Sequence, residues 1–270
     1  MPKVSHRPIC RAAAALAFWG LLFILPAFAP ASAAGDAGIA EASLAYAAGD
    51  YDVAAVLTHG NPHPVAQVLY ARALLTKAML LNGADTADPA VDVLARDARR
   101  SADAARQADP GLVEAYVLGA ISRGLIADRS LVPIAVRKVW EARSLIDAAL
   151  DLSPRDPRVL ATDAGWHLTL TGRLGSAIAG LLFSASRDHG LAAFARVFAL
   201  VGDDPSMLYH FAKVRILQSD PPALGEARAA LHTLLRIQPV DALGQAVQLL
   251  GAPLLAAVEA KAAERRTQQP

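Results

Sequence analysis

Cysteine is almost absent from this chain of 270 residues: the single one, Cys10, lies in the first dozen positions. Once the amino-terminal segment is removed no thiol remains, which excludes disulfides, cysteine metal ligands and a cysteine nucleophile. Sustained alternation of apolar and polar residues is also missing, so half-buried strands are excluded and the fold class reads as all-α. Catalytic signatures are absent as well. There is no H-E-x-x-H, G-x-S-x-G, Walker loop or G-x-G-x-x-G, so the chain reads as non-enzymatic, with no catalytic residues, no cofactor and no bound metal. A formal charge of +1 gives no basic surplus to hold nucleic acid.

The near misses fail on context. Gly175 and Gly180 have phosphate-loop spacing, but Leu181 stands where the lysine belongs. His59 and His63 are four apart, as in a zinc pair, yet Gly60 and Pro62 prevent the helix such a pair needs. Asp188 and His189, beside Ser184 and Ser186, lack a strained turn to expose a serine, and His189-Gly190 reads as a helix end.

What the chain does have begins with residues 1–33. Lys3, Arg7 and Arg11 precede an apolar run over 12–25, then Pro26 and the small-residue sequence Ala31-Ser32-Ala33, with no acidic residue in the segment. That order is read by signal peptidase, so the expectation is a cleaved leader and a periplasmic protein beginning near Ala34. The alternative is an uncleaved anchor over 12–29, which approaches the length of a membrane span. Removing three leader cations leaves a formal charge of about −2.

A four-point pattern then recurs. Ala142, Ile146, Ala149 and Pro154 stand at offsets of 0, 4, 7 and 12. The same offsets fit Ala98, Ala102, Ala105 and Pro110, then Ala193, Val197, Leu200 and Pro205, then Ala227, Leu231, Leu234 and Pro239. The first three positions form one helical stripe and the proline ends it, so the chain is a helical repeat. These residues resemble the tetratricopeptide repeat family, as does the turn Gly49-Asp50-Tyr51; Gly119 and Gly165 fall where that family's first helix takes a packing glycine. The closing prolines are 44, 51 and 34 residues apart, so only the last interval has a period near 34. The first two carry insertions, around 130–138 and 172–190.

The resemblance implies a superhelix of about four helix pairs, a single domain over 34–263 with a polar tail over 264–270. Helices are expected over 37–48, 51–58, 65–81, 90–108, 112–126, 157–170, 207–217, 223–237 and 240–263, the last with a kink at Pro253. The insertion 172–190 is unusual, because 177–183 is almost wholly apolar. Such a segment is expected to be buried all round or to line an apolar cavity, with Ala177, Leu181 and Phe183 as its wall.

The family's inward-facing positions lie three residues before the packing glycine and one and four after it. They select Tyr116 and Arg123 around Gly119, Thr162 and Trp166 around Gly165, and Tyr209 by its distance from the preceding proline. Aromatic rings and an arginine on a concave face suit a protein partner, since they combine large area with a polar handle. The resulting expectation is an exported interaction scaffold whose partner is an unknown protein, an envelope or transporter component. The chain is also similar in layout to the tetratricopeptide-like proteins that accompany TRAP-type transporters, which implies the alternative of a periplasmic carrier for a small lipophilic ligand. Packing of Tyr116, Trp166 and Tyr209 between helices stands open beside both.

Overall fold

The computed structural model describes residues 36–84 and 88–267; the leader and anchor readings lie outside them. Among the described residues there are twelve α-helices: α1 Asp36–Ala48, α2 Tyr51–Thr58, α3 Pro64–Ala84, α4 Ala90–Ala108, α5 Val113–Asp128, α6 Val132–Leu152, α7 Pro157–Leu174, α8 Ser176–Phe183, α9 Arg187–Val201, α10 Pro205–Gln218, α11 Pro221–Arg236 and α12 Ala242–Thr267. Successive helices pack as antiparallel pairs, α1 with α2, α3 with α4, α5 with α6, α7 with α9 and α10 with α11. The fold is all-α, built from successive helix pairs.

Local sequence accounts for the starts. Asp156, Asp204 and Asp220 each place a side-chain oxygen on a first-turn N–H, with proline opening the helix behind them. Asp50 occupies the equivalent place before α2 without a side-chain cap bond. The second helices are held by their small residues. Ala98, Ala102 and Ala105, then Ala142, Ile146 and Ala149, then Ala227, Leu231 and Leu234 are all buried, so neighbouring helices approach closely along them. The third α9 position departs from the pattern: Leu200 is exposed, and α9 buries Gly190, Ala193, Phe194 and Val197 instead.

The first insertion supplies the opening turns of a long α6, with Pro133 in its first turn, and the second differs from expectation. In the second, α8 ends at Ser184, whose φ of 56° reverses the chain, and Ser186 caps α9 by accepting from the His189 N–H. His189 and Gly190 therefore begin a helix rather than end one. The final helix runs through Pro253 and on to Thr267, past the expected tail boundary.

The array also closes on itself. Helix α12 packs on α10 and α11 and reaches α1 and α3. Met79 of α3 belongs to the same apolar cluster as Leu208, Leu231, Leu243 and Val247 from the last three helices. Gly49 serves two ends here: its φ of +90° makes the α1–α2 turn, and a Cβ in its place would stand 2.8 Å from the Ala242 Cβ.

Candidate interaction surface

The row expected on a concave face is not a surface. Trp166 and Tyr209 are fully buried, Thr162 and Arg123 nearly so, and Tyr116 is half-buried. The helices that carry them, α5, α7 and α10, are hemmed in along the array; α5 also meets α3, α7 also meets α10, and α10 meets α11 and α12. All but Thr162 reach a second helix. Tyr116 lies under the Arg106 guanidinium of α4 and donates to the Pro110 carbonyl at 2.9 Å. Arg123 bridges Asp103 of α4 and Glu141 of α6, both at 3.1 Å. Trp166 packs among Val139, Ala142 and Phe183, with its Nε1 3.4 Å from the Val139 carbonyl oxygen. The Thr162 hydroxyl donates back to Arg158 in its own helix, and Tyr209 joins the α10–α12 cluster. These positions hold successive units together.

The packing glycines do act as expected. A Cβ at Gly165 would stand 2.5 Å from the His210 ring of α10, and one at Gly119 would stand 3.1 Å from Leu145 of α6. Ion pairs between first helices complete the seam. Glu114 of α5 accepts from Arg72 of α3 at 2.6 Å and from Arg158 of α7 at 3.2 Å, while Asp128 of α5 pairs with Arg173 of α7 at 2.7 Å. Arg72, Glu114 and Arg158 are 42 and 44 residues apart. That spacing, close to the first repeat interval, could have revealed them in the sequence.

Asp163, His167 and His189 are a compact grouping that sequence reading missed, with ligand atoms all within 4.8 Å. Asp163 and His167 are four apart on α7, but His189 arrives from α9 across the insertion. Metal binding at the His167 Nε2 is disfavoured, because the Ser186 N–H donates to its Nδ1 at 3.0 Å and so keeps the proton on Nε2. Arg143 already donates to the Asp163 Oδ1 at 2.7 Å, and His189 Nε2 lies 2.8 Å from Oδ2. The grouping is a hydrogen-bond network around one buried carboxylate. Asp188, expected beside His189 in any dyad, has no part in it.

Burial pushes His167 down to about 4 and His210 to about 3. Both are then neutral in the folded chain and bind a proton in the unfolded one between their ordinary value near 6.5 and those lower values, so stability present above about pH 6.5 is lost as pH falls toward 4. Urea midpoints should therefore drop between pH 7 and pH 5, and His167→Asn should shrink that drop. Midpoints that stay level would show that these rings are not buried neutral.

The surface that does stand open comes from the insertions. On α8, Ala177 is exposed and Leu181 is 85% exposed, with Ile178 and Leu182 about half open, while Ala179 and Phe183 pack down onto Trp166 and Leu170. Only Phe183 among the expected cavity wall faces inward. The reason is geometric: α8 is two turns long and lies over α7, so one face is covered and the others look out. On α6, Leu131 just before the helix, and Val132, Ile134, Val136 and Trp140 within it, are exposed. The two segments meet where Trp140 lies 5.6 Å from Phe183, and where Ala135, Val139, Ala179 and Phe183 share one cluster. With Leu174 these side chains present on the order of 900 Å², taking roughly 150–200 Å² for each when fully open. A typical monomer's largest apolar patch is about 300–600 Å².

No family model matches the chain, and no curated protein does. Among solved structures, the chain is similar to TTC0263, a thermophilic TPR protein of Thermus thermophilus, with a TM-score of 0.57 and 20% identity, covering 83% of this chain and 100% of that one. The likeness places the fold and nothing finer.

Proposed function

We propose that the chain is an exported, non-enzymatic protein-interaction module that engages its partner through the apolar platform of α6 and α8. The observation that carries this is the platform itself: nine large apolar side chains left open on two segments that interrupt the repeat period. Tetratricopeptide-like folds generally serve protein–protein contact, an analogy that favours the reading. Surface of this extent matches the roughly 800 Å² per partner of a stable complex. The export half of the proposal rests on the leader pattern over 1–33.

A photo-crosslinking residue at position 181 tests both halves in cells. Position 181 should yield a discrete protein adduct in the envelope fraction, whereas position 249, an exposed leucine on α12, should not. Val132→Asp should remove the adduct by charging the platform. Equal yields at 181 and 249, or no adduct at either, would withdraw the platform as the binding surface.

A further inference from the structure

The platform has the features of a surface that meets its own copy, and we infer that its occupant is a second molecule of this chain, joined about a two-fold axis. The inference rests on the platform being a protein-binding surface and names the partner.

Three observations carry it. The first is area: on the order of 900 Å² per protomer would be covered, which is what one side of a stable dimer buries. The second is composition. Nine large apolar residues, all Leu, Val, Ile or Trp, are exposed there, with Arg137 and Arg173 as the exposed charges beside them, and homodimer interfaces are more apolar than those of partners that come and go. The third is relief. Val132, Val136 and Trp140 are spaced four apart and form one ridge along α6; Ile178, Leu181 and Leu182 form another on α8. Val139, Ala179 and Phe183 are buried in one cluster that joins the two helices. Two apolar ridges joined in this way can meet the ridges of a copy, and a two-fold axis makes that contact mutual.

Charge argues against a lipid surface in the same place. Of the cations nearest the platform, Arg173 pairs with Asp128 and Arg187 with Asp220, while Arg137 and Lys138 share the single carboxylate of Glu141, which also takes Arg123. What is left uncompensated is far short of the clusters of about four to eight cations that hold anionic headgroups.

The test is sedimentation equilibrium of the protein expressed in full and purified from the soluble fraction after the host's own processing, together with Leu181→Asp and Leu249→Asp variants. Both leucines are exposed, so neither change should unfold the chain, and circular dichroism melts verify that. The expected result is twice the monomer mass for the parent and for Leu249→Asp, with the dissociation constant of Leu181→Asp raised at least a hundredfold. A monomer at every concentration overturns the inference, as does a dimer that Leu181→Asp leaves intact. So does a monomeric parent that sediments with phosphatidylglycerol vesicles through Leu181. A crosslink at position 181 to a different protein would leave the proposed function standing while this inference fails.

Discussion

Trp166→Ala is expected to lower the stability of the chain by about 3–5 kcal/mol, the cost of emptying a buried aromatic site that its surroundings cannot fully refill. The indole is fully buried and shares one cluster with two helices at once: Val139 and Ala142 on α6, Ala179 and Phe183 on α8. Arg143 also lies 5.0 Å over the ring and would lose that contact. A melting temperature lower by roughly 10 °C should follow. Loss of the ring should also loosen α8 and with it the platform, so binding and stability should fall together. Reduced partner binding with unchanged melting would contradict this and return Trp166 to the role of a surface anchor.

Asp163→Ala should be comparably severe. The carboxylate is buried, and it balances Arg143 while accepting from His189, with His167 3.6 Å from its Oδ1. Removing it leaves a mostly buried guanidinium with only Asp147, which is itself 60% exposed. Breaking one side of such a pair costs about 3–5 kcal/mol, because the remaining charge stays desolvated. Asp147→Ala should cost less than about 1 kcal/mol, as exposed pairs do. Replacing both members of the buried pair, Arg143→Met with Asp163→Leu, should cost less than the two single changes added, because no orphaned charge remains. Chemical denaturation of these variants decides it: equal effects at positions 163 and 147 would mean that the network contributes nothing special.

The contrast between what could and could not be read from the chain has a physical origin. The alanine stripes and closing prolines were legible because helix period and helix termination are local, set within a dozen residues. Ala142, Ile146 and Ala149 lie where the pattern puts them. Leu200 does not, since α9 follows an insertion that shifts which face meets α7. The inward row failed for a different reason. Whether a position beside Gly119 or Gly165 meets a partner or another helix depends on what covers it: α4 and α6 cover Tyr116 and Arg123, and α6 with the insertion helix α8 covers Trp166, contacts that no short window contains. The platform was misread because an apolar helix ordinarily signals burial, and composition does not say whether the covering surface belongs to the same chain. The charges Arg72, Glu114 and Arg158 were the missed opportunity, since complementary residues recurring near the repeat interval mark neighbouring first helices.

Closure of the array bears on how the chain folds. In an open solenoid each unit touches only the next, so ends fray and partly folded forms persist. Here Met79 completes its apolar surroundings with side chains more than a hundred positions away, and Ala242 sits against the α1–α2 turn. The α1–α2 pair cannot be fully formed until α12 exists, which couples α1–α3 and α12 into one cooperative unit. Contacts of such sequence separation also slow the search for the native state. A growing chain would therefore keep α3 incompletely covered until α12 is synthesised, so the opening helices wait on the last described one to complete their packing.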